Sequence, residues 1–129
     1  MIEQNEAIAA AETWLVLLDS GQYQSCWESA SSLMRTGVAE DQLAQSLHSV
    51  LAPLGSALSR SLDTAGYHET LPGAPDGRYW VLKFSTSYTN KQAGTETITL
   101  MLDHEEWRVS GSLYPIVAED RTSCLPKIS

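Results

Sequence analysis

Basic side chains are scarce in this sequence of 129 residues, where 8 Lys and Arg face 16 Asp and Glu and the net charge is −8. Residues 1–77 carry the whole excess, because the acids and bases of residues 78–129 balance. Nucleic acids and anionic membranes both require a cationic surface, so neither is expected as a partner. The pattern predicts a solvated acidic helical face, and the alternative is that this face binds a basic protein.

Cysteine is scarce as well, and Cys26 and Cys124 are the only two. They lie far apart and form no CxxC or other metal-ligand spacing, so no metal site is predicted from them. Cys26 falls in a helical pattern, where we expect a small buried hydrophobic side chain. The spacing leaves open whether the two cysteines form a disulfide.

Long apolar runs are absent, and none approaches the ~20 residues that a membrane-spanning helix needs. The first residues, Met1–Glu6, are acidic where an export signal would be basic. We therefore expect a cytoplasmic protein. A periplasmic or secreted protein is the expectation if an export peptide has been removed.

The local motifs of common enzyme classes are missing too. The sequence has no GxSxG elbow, P-loop, dinucleotide-binding fingerprint or HExxH. The segment 71–77 contains two prolines, which lack N–H groups, so it predicts a rigid turn and not a phosphate cradle. No cofactor or metal is predicted, and no histidine is placed for catalysis.

The sequence does contain one clear change of hydrophobic period, from 3.6 to 2, near residue 55. Helices are predicted over residues 6–20, with Asn5 as the cap, over 22–35 and over 40–52. Alternation then predicts strands over residues 56–62 (extending toward Leu71), 78–88, 95–103 and 107–117.

Short turns between the strands make the predicted sheet antiparallel. Three N-terminal helices would cover one face of about four strands, which is an α+β fold. A single domain is expected over residues 1–117, with residues 118–129 as a C-terminal tail.

Several separated segments resemble domain-of-unknown-function family 4019, across roughly residues 7–115. The matching positions are Trp14–Tyr23 with Trp27, Gly55 with Ser59-Arg60, Leu71–Gly77 with Tyr79, Asn90-Lys91, Glu96-Thr97, and Trp107-Arg108-Val109 with Gly111. The resemblance implies a cone like that of nuclear transport factor 2, with a curved sheet wrapped round a long helix. That superfamily includes ketosteroid isomerase, scytalone dehydratase and polyketide cyclases beside many non-catalytic domains, and the family itself brings no established activity.

Two charged residues break the apolar strand pattern. Arg60 lies between Leu58 and Leu62, and Glu96 is in register with Ile98 and Leu100. Both should therefore face the helices and pair with each other, because an unpaired buried charge is very costly. The pair would fix sheet register, or it would form the polar floor of a pocket, with Arg60 binding an anion and Glu96 orienting the ligand or acting as a base.

Aromatic side chains on the inward faces are mostly expected to be core. They are Trp14, Tyr23, Trp27, Trp80, Phe84, Tyr88 and Trp107. In a cone, some could line a pocket, and Tyr23, Tyr88, Trp27 and Trp80 join Arg60 and Glu96 as pocket candidates. Asp19 is expected to shape the end of the first helix or its junction with the second, with capping of the second helix as one way to do so.

These observations predict a small-molecule-binding or accessory domain that is not catalytic and has a pocket between its helices and its sheet. A small hydrophobic or anionic ligand is expected. One alternative is a lyase or isomerase acting on a small hydrophobic ketone, with Glu96 as base and Tyr23 or Tyr88 as hydrogen-bond donor. A second alternative is an interaction module that uses the acidic helical face.

A homodimer through the exposed face of the sheet is also expected, since that face is mixed in polarity. The residues predicted on it are Tyr79, Val81, Lys83, Ser85, Ser87, Thr97 and Thr99.

Overall fold

The computed structural model describes residues 2–115, which form four helices followed by one four-stranded sheet. The elements are α1 (Ile2–Asp19), α2 (Tyr23–Glu28), α3 (Ser32–Gly37), α4 (Glu40–Leu51), β1 (Ala57–His68), β2 (Tyr79–Tyr88), β3 (Lys91–Asp103) and β4 (Glu106–Leu113). The α+β class is confirmed. The predicted tail, 118–129, with Cys124 lies outside the described residues. Within residues 2–115, no helix has the length and apolarity of a membrane span.

Helix α1 packs its apolar face on β4 and also touches β2 and β3. Ala7, Ala11, Trp14 and Leu18 are buried along that face, and their spacings of four, three and four residues place them on one side of the helix. The helix begins at Ile2, so the prediction that Asn5 caps it is wrong. Neither glycine nor proline lies between Ile2 and Asn5, so nothing in the sequence stops the helix from extending.

The predicted second helix, 22–35, is divided into α2 and α3 by a cap at Ser31. The Ser31 backbone N–H donates to the Val109 carbonyl at 2.8 Å, and its hydroxyl accepts from the Met34 N–H at 3.1 Å. A serine that accepts from the N3 amide starts a new helix. The break therefore depends on β4, which supplies the partner of the Ser31 amide.

Asp103, at the end of β3, reinforces the start of α3. Its carboxylate accepts from the Ser32 backbone N–H at 2.7 Å and from the Ser32 hydroxyl at 3.0 Å. The bond from the Ser32 backbone amide is the main cause that lowers the pKa of Asp103.

We expect Asp103→Ala to lower the free energy of unfolding by about 1–2 kcal/mol at neutral pH, the usual contribution of a helix cap. Because the folded pKa lies below the unfolded one, this contribution is present above a pH of about 4 and is lost as the pH falls through the folded pKa. Urea titrations of parent and variant from pH 7 down to pH 3 measure the difference. Asp63→Ala, at an exposed acid of β1, is the matched control, and a parent–variant difference that grows on acidification would contradict the assignment.

The sheet has the order β1-β2-β3-β4, and every neighbouring pair is antiparallel. Its helix-facing side buries Leu82, Phe84, Ile98, Leu100 and Val109. Two elements differ from the prediction: β3 begins at Lys91 instead of residue 95, and β4 ends at Leu113 instead of residue 117. Strand β1 reaches His68, in agreement with the predicted extension toward Leu71.

The early start of β3 follows from the short connection between β2 and β3. The β2–β3 connection is only Thr89-Asn90, which lets pairing resume at once at Lys91. The β3–β4 connection is also two residues, His104 and Glu105, both with positive φ. That geometry is typical of the type I′ turn, whose twist suits a tight hairpin.

The opposite face of the sheet differs from expectation at Tyr79, which is buried and not exposed. Its hydroxyl donates to the Pro75 carbonyl at 2.6 Å, so the segment between β1 and β2 covers it. Lys83 and Ser85 on the same face are exposed, as the alternation predicted.

Candidate functional site

A cluster of three charged side chains joins helix α1 to the sheet, with Arg60 at its centre. The Arg60 guanidinium donates from Nε to Glu96 Oε1 at 2.5 Å and from Nη2 to Glu96 Oε2 at 3.2 Å. On its other side it donates from Nη1 and Nη2 to the two oxygens of Asp19, at 2.9 and 3.1 Å. Arg60 therefore makes bidentate contact with two carboxylates.

The strand register brings these groups together. Arg60 on β1 is opposite Thr86 on β2, and Glu96 on β3 is opposite Phe84 on β2. Thr86 and Phe84 are two residues apart and lie on the same face of β2, so Arg60 and Glu96 share the face of the sheet that the helices cover. Glu96 is 0% exposed, and its Oε1 also accepts from the Thr86 hydroxyl at 2.9 Å. The predicted pairing of Arg60 with Glu96 is confirmed, and the burial of the carboxylate explains why it needs partners.

The Arg60 guanidinium uses most of its hydrogen-bond donors on these two carboxylates. Burial alone lowers the pKa of Arg60, but the hydrogen bonds that Arg60 donates to Asp19 and Glu96 outweigh it and raise the pKa above its usual range. Four of its five N–H groups are engaged in the bonds described above. Little donor capacity is left for an anionic ligand.

A cavity of about 350 Å³ lies beside this cluster, between the helices and the end of the sheet. Its walls come from the α1–α2 junction, the end of α4, the start of β1, and the facing positions of β2 and β3. The lining residues are Leu18, Asp19, Gly21, Tyr23, His48, Leu51, Ala52, Gly55, Ser56, Ala57, Tyr88 and Glu96. The cavity thus combines apolar walls with a few polar groups, as small-molecule sites do.

Tyr88 supplies an unsatisfied group in this wall. The residue is 2% exposed, and no atom of residues 2–115 forms a hydrogen bond with its hydroxyl. Burial is the main cause that raises the pKa of Tyr88, followed by hydrogen-bonding and charge effects of the nearby Glu96 carboxylate, although the distance and angle between the two groups do not make a full hydrogen bond. The hydroxyl is therefore neutral at physiological pH, and its oxygen is free to accept a hydrogen bond.

The six predicted pocket residues are not all at the cavity. Tyr23, Tyr88 and Glu96 line it, while Arg60 lies behind the carboxylates and borders a separate cleft beside Val16. Trp27 donates its indole N–H to the Val38 carbonyl at 2.8 Å, which ties α2 to the segment before α4.

Trp80 lies at the other end of β2, where its ring packs on Tyr67 with centroids 5.5 Å apart. Neither Trp27 nor Trp80 is among the residues that line the cavity.

Sequence reasoning missed Asp19 and His48 as cavity residues. Asp19 does not cap α2: the N-cap position is Gln22, which makes no side-chain cap bond, and the Asp19 carboxylate binds Arg60. One signal was present in the sequence. A carboxylate at the C-terminal end of a helix is electrostatically unfavourable, and α1 has no basic residue in its last turn. A cation from elsewhere in the chain was therefore needed.

Cys26, which is buried, keeps a protonated thiol at neutral pH. Burial, followed by the charge of Asp19, raises the pKa of its thiol to about 12. In the part of the chain that the structure describes, no group of His, Cys, Asp and Glu is arranged to hold a metal ion.

Residues 10–112 match a protein family whose description reads "Protein of unknown function (DUF4019)". No curated protein matches the chain.

Proposed function

Because the chain belongs to the DUF4019 family, whose description names no activity, we propose a function from the cavity itself: the protein binds a small molecule between its helices and its sheet and does not transform it. The observation that carries the proposal is the buried Tyr88 hydroxyl, which has no hydrogen-bond partner in residues 2–115 and belongs to a wall of the 350 Å³ cavity. A buried hydroxyl without a partner is destabilising, and a ligand that bonds to it would remove that penalty.

The chemistry of the wall supports binding over catalysis. Glu96 would be the general base of a lyase or isomerase, but its carboxylate already accepts three hydrogen bonds, from Arg60 and Thr86. A base must instead reach a substrate proton. The ketone lyase with Tyr23 or Tyr88 as donor is therefore the second candidate, favoured only by the position of Glu96 beside Tyr88.

The placement of helices over one face of an antiparallel sheet also supports a relation to the nuclear-transport-factor-2-like superfamily. In that architecture the space between the helices and the sheet is where a ligand would enter. We propose that the cavity of this chain corresponds to that space.

The test uses 2-phenylethanol, a neutral probe with an apolar body and a hydroxyl. We expect its addition to ¹⁵N-labelled protein to shift amide signals around Asp19–Tyr23 and His48–Ala57 first, because those segments line the cavity. Ala57→Phe, which would place a ring among the lining residues, should abolish these shifts. Ala93→Phe, at an exposed position of β3, should not.

Shifts scattered over the surface, or unchanged binding by the Ala57→Phe variant, would contradict the proposal. A folded spectrum of each variant without probe is the control for structural damage.

A further inference from the structure

Resting on the proposed function, we propose that the polar end of the ligand is an organic cation, a protonated amine carried on a small apolar body. Three features of the cavity wall point to this class: the carboxylates that line it, the helix ends that meet there, and the free Tyr88 hydroxyl.

The first feature is the charge that the wall presents. Asp19 and Glu96 both line the cavity, whereas Arg60, which pairs with both, does not. Two carboxylates against one guanidinium leave one negative charge uncompensated in the cluster. Among residues 2–115, His48 is the only basic side chain that lines the cavity.

The second feature is the meeting of two helix C-termini. Helix α1 ends at Asp19 and α4 ends at Leu51, and the last turns of both line the cavity. A helix carries about half a negative charge at its C-terminal end, so both ends favour a cation. The helix dipoles and the carboxylates therefore both favour the binding of a cation in the cavity.

The third feature supplies a hydrogen-bond acceptor. An ammonium group has only donors, and the neutral Tyr88 hydroxyl is an acceptor with no partner within residues 2–115. Tyr23 adds an aromatic ring to the same wall, and Leu18 and Leu51 give the apolar surface that an organic body needs.

An anionic ligand would find few free hydrogen-bond donors and an unfavourable negative charge in this cavity. Arg60 keeps at most one free N–H, and it lies behind the carboxylates. The net charge of −8 adds a long-range repulsion. The anionic ligand expected from the sequence is therefore replaced by a cationic one.

The test compares three probes of the same shape that differ in charge: 2-phenylethylamine, 2-phenylethanol and phenylacetate, titrated at neutral pH and low salt with NMR detection. We expect the amine to bind at least about ten-fold more tightly than the alcohol, since bonds to charged groups are the stronger ones. Phenylacetate should bind most weakly.

Two variants link the preference to the wall. Asp19→Asn removes the surplus negative charge and should bring the amine-to-alcohol ratio close to one, whereas Asp63→Asn on the exposed part of β1 should leave it unchanged. Tyr88→Phe removes a hydroxyl that bonds to nothing described here, so the fold should persist while the affinity for the amine falls about three- to ten-fold. Tyr67→Phe is the control for loss of a hydroxyl at the far end of the sheet; it removes the bonds of Tyr67 to Glu69 and Arg78 and should leave the affinity for the amine unchanged.

The outcomes separate the two proposals. If the alcohol binds as tightly as the amine, if phenylacetate binds best, or if Asp19→Asn leaves the ratio intact, the cation proposal is overturned while the small-molecule function stands. If none of the three probes binds, both proposals are wrong.

Discussion

Arg60→Met is expected to be the most damaging single substitution in the charged cluster, with a loss of about 3–5 kcal/mol in the free energy of unfolding. The variant keeps Glu96, which is 0% exposed, and removes the only cation that contacts its carboxylate among residues 2–115. Asp19 loses its partner at the same time. Glu96→Leu should have a smaller effect, because Arg60 keeps both of its bonds to Asp19.

The double variant Arg60→Met, Glu96→Leu should recover most of the lost stability. It replaces the buried pair with apolar side chains, and Asp19, whose side chain is 39% exposed, can be solvated. Such replacements are often close to neutral. Urea unfolding of the parent, both single variants and the double variant gives the coupling energy directly.

Asp19→Asn is the control for the exposed half of the cluster, and it should lose no more than about 1 kcal/mol, as partly exposed ion pairs do. The prediction fails if the double variant loses the sum of the two single losses, because the residues would then contribute independently.

Gly55→Ala is expected to destabilise the protein by about 3–4 kcal/mol, because the substitution causes both backbone strain and a steric clash. Gly55 has a φ of +81°, where an L side chain is strained. A Cβ at this position would lie 1.8 Å from the Thr89 hydroxyl oxygen, and that oxygen accepts from the Ser56 N–H at 3.2 Å. The loop that enters β1 and the β2–β3 turn would have to separate.

Gly73→Ala is the matched control, because Gly73 has a φ of +77° but nothing within 4 Å of an added Cβ. It should show only the strain, about 1–2 kcal/mol. Adding Thr89→Ala to the Gly55→Ala variant should lose less stability than the two single changes summed. Equal losses for Gly55→Ala and Gly73→Ala in thermal and urea unfolding would show that the close contact contributes nothing.

The period of the sequence explains only half of the inward-facing pair. Side chains alternate in a strand, so Glu96 could be assigned to the face of the buried Ile98 and Leu100. Arg60 was assigned from Leu58 and Leu62, but these leucines are 64% and 38% exposed, so the premise of that assignment was wrong although Arg60 does pair with Glu96. Because a buried charge without a partner is destabilising, the two residues were then predicted to contact each other. The same reasoning identified Tyr23 and Tyr88 as candidates for the cavity.

The remaining features depend on tertiary neighbours distant in sequence. The break between α2 and α3 follows from Ser31, whose amide bonds to Val109 and whose hydroxyl bonds to Ser110, 79 residues away. Asp19 could be recognised as an electrostatically unfavourable carboxylate at the end of a helix, but its partner, Arg60, is 41 residues away in the sequence. The cavity itself exists only after the ends of α1 and α4 meet the sheet.

The docking of α1 on β4 brings together the first and last described elements of the chain. On the ribosome the α1 segment emerges first, yet the strand that it packs on is complete only after Leu113 has been synthesised. Until then, apolar side chains such as Trp14 and Leu15 lack that strand as a partner, and nascent chains with such surfaces are prone to aggregate. Truncation of the gene before the codon for Glu106 should therefore yield a product that depends on chaperones.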